Sequence, residues 1–180
     1  MSDPVVLERA AGRCGELVLR RSGAGLEIIA AGTFLVSSAN RVSSEALIRA
    51  ALPHLSRDGV AGSDEREDRP GPGEREGGAG LAGDALEALI GGLGLGYALD
   101  VALAEPRIAR VTVAEYEPLV VDWFRAYGEG RAARLAAGEA AGRARVVVAD
   151  VADVLRESPG AFDLIALDTD NGPEWLVREA

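Results

Sequence analysis

The sequence predicts an α/β fold, a Rossmann-like parallel sheet preceded by a small N-terminal β-hairpin unit. Three observations carry that prediction. From residue 84 onward, short apolar runs alternate with stretches of helical period, the β-α-β-α-β-α-β order that builds a parallel sheet through right-handed crossovers. The first apolar run empties into Gly91-Gly-Leu-Gly-Leu-Gly96, a strand-to-helix glycine turn of the kind that cradles nucleotides. The second, Arg110-Val-Thr-Val-Ala-Glu115, ends on an acid nineteen residues after Gly96, where a nucleotide site needs a ribose acceptor.

Residues 1–55 read as a β unit followed by a helix. Strand-prone Glu16–Arg21 and Leu26–Ala30 flank Ser22-Gly-Ala-Gly25, which signals a hairpin. Thr33–Ser37, entered through Gly32, predicts a third strand. Ser43–Leu52 predicts a helix with serines suited to capping and with Leu47, Ala51 and Leu52 on one face; Pro53 stops or bends it. Residues 56–82 carry Pro, Gly and mixed charge without apolar periodicity. Such a segment cannot bury enough surface to offset the entropy of ordering, so a disordered linker is expected.

Residues 83–180 form the predicted nucleoside-binding domain. Strands are expected at 86–90, 110–115, 145–149 and 163–168, with helices near 95–104, 117–127 and 151–157. The spacer Gly128–Gly142 suits either a helix or a loop. Four strands leave an open sheet edge, an aggregation liability. That fits a shortened chain or one that pairs with a second copy as a homo-oligomer.

Composition narrows the function classes. All 19 basic residues are arginine, and the net charge is −10. Such acidity opposes general nucleic-acid binding; it suits a cationic substrate and also simple solubility. The one cysteine, Cys14, allows no internal disulfide, and the opening residues resemble no signal peptide. A cytoplasmic setting is expected, with no membrane contact. No Cys/His cluster suggests a metal.

The glycine spacing selects the ligand. A pyrophosphate turn requires Gly-x-Gly-x-x-Gly, but the position five after Gly92 is Tyr97, and Leu93 interrupts the register from Gly91. What remains, Gly92-x-Gly94-x-Gly96, suits an S-adenosylmethionine-type site of the class I methyltransferase fold; a tight turn without ligand is the plainer alternative. Glu115, at a strand end, can accept both ribose hydroxyls. Glu117 can cap the helix beginning at Pro118. Asp150 can take an adenine amino proton or cap the next helix. Asp168 closes the fourth strand, where an acid faces the reacting group and can take a proton from an amine; the Asp170-Asn-Gly-Pro173 stretch beyond it also reads as a plain turn. Trp175 either lines a pocket or packs, and His54 has no chemical role.

With these residues in view, the chain resembles the spermidine synthase (polyamine aminopropyltransferase) family. Ile90–Gly96, Val111-Thr-Val-Ala-Glu-Tyr-Glu-Pro118, Val146-Val-Val-Ala-Asp150 and Phe162–Pro173 carry the likeness. The resemblance implies decarboxylated S-adenosylmethionine as donor and a small-molecule amine as acceptor. By it, Gly92, Gly94 and Gly96 face the methionine-derived portion, Glu115 holds the ribose, Asp150 the adenine, and Asp168 deprotonates the amine. Two departures stand out. The family's two acids three apart become Asp168 and Asn171, with Asp170 shifted. Its glutamine, tyrosine and histidine ahead of Glu45 are missing, although Gly32 and Glu45 are kept. The donor half is therefore matched better than the amine half. Two alternatives follow: a methyltransferase using S-adenosylmethionine itself, and a non-catalytic binding module. Asp100, one turn into the helix after the glycines, favours the decarboxylated donor.

Overall fold

The computed structural model describes residues 3–13, 15–38, 41–55 and 85–169. The expected linker at 56–82, Cys14, Trp175 and the stretch from Asp170 to Pro173 lie outside the described residues.

Four strands, β1 (Val5–Gly12), β2 (Gly15–Ser22), β3 (Gly25–Ala30) and β4 (Thr33–Ser37), form an antiparallel meander in chain order. Strand β1 is unannounced by the sequence, because Val5-Val6-Leu7-Glu8-Arg9 lacks clean alternation. Pairing from Val5↔Arg21 to Gly12↔Gly15 makes it a strand, and it lies at the sheet edge, largely exposed. In β3 the period is two, and Leu26, Ile28 and Ala30 turn inward. The expected hairpin closes with Ser22 opposite Gly25. The next turn, between Ala30 and Thr33, places both Ala31 (φ 47°) and Gly32 (φ 81°) in the left-handed region, the demand of a two-residue hairpin loop.

Helix α1 (Arg41–Ala51) starts two residues before Ser43, so Ser43 and Ser44 lie inside its first turns and do not cap it. Its inward face is Ser44 and Ile48, with Ala51 and Leu52 half-buried. Leu47, expected on that face, is 39% exposed. A single 3-10 turn, Leu52–His54, follows at Pro53.

The second sheet contains β5 (Leu86–Gly91), β6 (Ile108–Glu115), β7 (Ala144–Val148) and β8 (Leu164–Leu167) in the order β7-β6-β5-β8. All three neighbouring pairs are parallel. Helices α2 (Tyr97–Ala104), α3 (Pro118–Tyr127), α4 (Glu129–Ala140) and α5 (Val151–Glu157) connect them. The Gly128–Gly142 spacer is thus mostly helix. Apart from the half-buried Glu87, strand β5 is apolar and buried on both faces. It is flanked by β6 on one side and β8 on the other, which places the topological switch point, where such sheets bind ligands, beside its carboxyl end.

One hydrophobic cluster runs through both units: Leu17, Leu19, Ile28 and Ile48 pack with Ile90, Leu99, Val113 and Phe124. The antiparallel sheet is therefore fastened against the parallel one, over the glycine turn. Among the described residues, no helix is long and apolar enough to cross a membrane.

Candidate functional site

A cavity of about 380 Å³ opens at the switch point. It is lined by Gly92, Gly94, Gly96, Glu115, Asp150 and Asp168 together. Residues far apart in sequence thus meet because four parallel strands deliver their carboxyl ends to one side.

The glycine turn is obligatory for local reasons. All three glycines have positive φ, at 91°, 49° and 76°. A Cβ on Gly92 would stand 2.4 Å from the Asp168 carbonyl oxygen, and one on Gly96 would stand 2.3 Å from Phe124 Cε2. Gly92 N–H donates to Ala114 O and Asp168 N–H to Gly91 O, each at 2.8 Å, which ties β5, β6 and β8 together at the cavity floor.

Glu115 is buried. Its Oε2 accepts from Leu93 N–H at 2.8 Å and its Oε1 from Glu117 N–H at 2.9 Å. Burial raises its pKa above the ordinary value, against the lowering effect of backbone donors at Glu117, Leu93 and Gly94. Glu117 caps α3 as expected, accepting from Leu119 N–H at 3.2 Å. Its other oxygen accepts from Arg13 N–H at 2.6 Å. Asp150 caps α5 through Oδ1, which accepts from Ala152 N–H at 2.8 Å. It also lines the cavity, and Oδ1 is the oxygen used in the cap.

Asp168 is half-buried, and Ser44 Oγ donates to its Oδ1 at 3.2 Å. Burial raises its pKa, and the Ser44 bond opposes that rise. Asp100 behaves otherwise. It lies outside the cavity lining, and its Oδ1 stands 3.0 Å from Arg134 Nε. That ion pair is misaligned as a hydrogen bond, which is why the same buried oxygen has no hydrogen-bond partner. The expected role of Asp100 beside the donor is not supported.

The antiparallel unit supplies a wall that sequence reasoning missed. Arg13, Leu35, Val36, Ser43 and Ser44 all line the cavity, and Tyr116 joins them from beyond β6. Arg13 Nη1 donates to Tyr116 O at 2.8 Å, with its guanidinium 5.3 Å from the Tyr116 ring centre. The Ser43-Ser44 pair was visible in the sequence but looked like a cap. Arg13 lies at the tip after the unannounced β1 and carried no signal. Among the described lining residues, Glu115, Glu117, Asp150 and Asp168 face a single cation, Arg13. The cavity therefore favours a cationic ligand.

No family model and no curated protein matches the sequence. Solved structures do match. One is a spermidine synthase in complex with the transition-state analogue AdoDATO, with a TM-score of 0.66 and 17% identity over 91% of this chain and 47% of that one. Another is the spermidine synthase of Thermotoga maritima, also at 0.66 and 17%, over 92% of this chain and 47% of that one. The chain spans about half the length of these structures. A four-stranded parallel sheet behind an antiparallel N-terminal sheet, superposed to this degree, gives this chain the fold of spermidine synthase.

Proposed function

We propose that this chain binds decarboxylated S-adenosylmethionine and transfers its aminopropyl group to a small-molecule amine. The observation that carries the reading is the meeting of the glycine turn with Glu115, Asp150 and Asp168 in one acid-rich cavity. Glycines leave the backbone open to close approach by a ligand. Glu115 is held by backbone N–H groups at Leu93 and Glu117, with Gly94 N–H beside it, and a carboxylate has acceptor capacity left for a ribose hydroxyl. Asp150 keeps Oδ2 for an adenine amino group.

The chemistry asks little else of the protein. A neutral amine attacks the propyl carbon beside the sulfonium, a C–N bond forms and the C–S bond breaks. Methylthioadenosine leaves uncharged, so no acid is needed for departure. The ammonium formed loses its proton to Asp168, whose raised pKa makes it a better base. Catalysis then rests on positioning and proton removal. Isothermal calorimetry with methylthioadenosine and the decarboxylated donor tests the reading; absence of binding by both would sink it.

One observation favours a second reading, a methyltransferase using S-adenosylmethionine. The residues between the glycines, Leu93 and Leu95, are apolar and buried, and Asp100 is engaged by Arg134, so no acid stands there to select the decarboxylated donor. Side-by-side affinities for the two sulfonium donors separate the readings.

A further inference from the structure

We infer that Ser44 is a positioning residue for Asp168, so that helix α1 of the N-terminal segment holds the proton acceptor of the parallel sheet in place. The inference rests on the proposed transfer for its catalytic consequence, and on geometry alone for the contact.

Ser44 is 7% exposed and sits one helical turn from Ile48, which is fully buried. Residues four apart share a helix face, so Ile48 anchors α1 in the core and aims Ser44 at the cavity. Glu45 meets both Arg41 (2.9 Å) and Arg49 (3.1 Å) along the outer side of the helix, which firms the same segment. On the other partner, Asp168 N–H is tied to Gly91 O, and its carbonyl lies over Gly92. The Asp168 backbone is therefore fixed by β5, and the remaining freedom is in its side chain. The Ser44 hydroxyl, donating at 3.2 Å to Oδ1, restrains that freedom and leaves Oδ2 for the amine. The charged groups lining the rest of the cavity are Glu115 and Glu117 from the β6–α3 segment, Asp150 before α5, and Arg13 from the hairpin tip. Glu115, Glu117, Asp150 and Arg13 each hydrogen-bond within their own surroundings, to Leu93, Glu117, Arg13, Ala152 and Tyr116 main-chain groups.

The test uses the full chain as wild type, Ser44→Ala and Ser44→Thr, with Asp168 followed by carbon-detected NMR titration. Ser44→Ala is expected to titrate Asp168 at higher pH, because a donor to the charged form is lost. Turnover should fall about tenfold in kcat with little change in the donor KM, and the acid limb of the pH profile should move up. Ser44→Thr keeps a hydroxyl and should restore both readouts. An Asp168 titration that is identical in wild type and Ser44→Ala overturns the inference. If wild type turns over no amine, the proposed transfer fails, while the titration still supports or overturns the contact. Should Ser44→Ala not fold, the comparison of wild type with Ser44→Thr decides: an Asp168 titration and profile displaced in a folded Ser44→Thr would overturn it.

Discussion

The two walls of the cavity are built in different ways. The wall from the parallel sheet consists of backbone turns and strand ends: Gly92, Gly94, Gly96, Glu115, Asp150 and Asp168. Two of its carboxylates, Glu115 and Asp150, are held by nearby main-chain N–H groups at Leu93, Glu117 and Ala152. The opposite wall consists of side chains brought in by docking: Arg13, Leu35, Val36, Ser43 and Ser44. The first wall is a property of local chain geometry, and the second of tertiary packing. Local geometry leaves marks in a sequence, whereas docking leaves few.

Breaking the first wall should cost most. Gly92→Ala forces a Cβ to within 2.4 Å of the Asp168 carbonyl oxygen at a φ of 91°, and neither backbone can yield cheaply. We expect a loss of about 3 kcal/mol of folding stability, read by chemical denaturation. The matching cut in the second wall, Val36→Ala, removes half-buried methyl groups and should cost about 1 kcal/mol. Equal losses would erase the distinction between the walls.

Asp168→Asn joins the two walls in one experiment. Turnover should fall at least about a hundredfold, as for loss of a general base. The same variant should change the pH dependence of stability. Burial raises the Asp168 pKa in the folded chain, so folding binds a proton that the unfolded chain releases. The stabilisation from this group is complete below the unfolded pKa and is lost as pH rises through the folded one. Removing the group should therefore narrow the stability difference between about pH 4 and about pH 7, measured by denaturation at each pH.

A smaller effect is expected at Glu115. Glu115→Gln keeps the shape but sets an amide NH2 against one of the two N–H donors, at Leu93 or Glu117, and removes the charge facing the ribose, so methylthioadenosine affinity should drop about tenfold in calorimetry. The smallest change sharpens the second wall alone. Ala31 holds a left-handed φ of 47°, which strains any Cβ. Ala31→Gly relieves the strain but frees the unfolded chain, for a net gain of about 0.5 kcal/mol by thermal denaturation.

The same contrast explains what was legible in the sequence. The parallel strands, the glycine turn and the meeting of Gly92, Gly94, Gly96, Glu115, Asp150 and Asp168 at one cavity were readable, because strand ends in this topology converge whatever else surrounds them. The α4 helix was half-readable: Ala-rich composition favours a helix, but Leu135 is its one buried residue among the described ones, so the amphipathic signal is faint. Strand β1 was silent, since an exposed edge strand needs no alternation. Asp100 misled for a related reason. Sequence distance from the glycines suggested a place beside the donor, but Asp100 is outside the cavity lining and its carboxylate pairs with Arg134 on α4, and that pairing follows from helix packing.

The hairpin tip carries one more consequence. Arg13 N–H donates to the buried Glu117 carboxylate, and Glu117 N–H donates to Glu115. The acid assigned to the ribose thus sits at the end of a relay that begins in the first hairpin. If a ligand engages Glu115 as proposed, its binding and the order of that tip are coupled through these bonds, and whatever effect one has on the other is returned in equal measure. The amide proton of Arg13 then becomes a built-in gauge of the cavity: if a nucleoside binds as proposed, its exchange with solvent is expected to change, although the peptide group itself need touch no ligand.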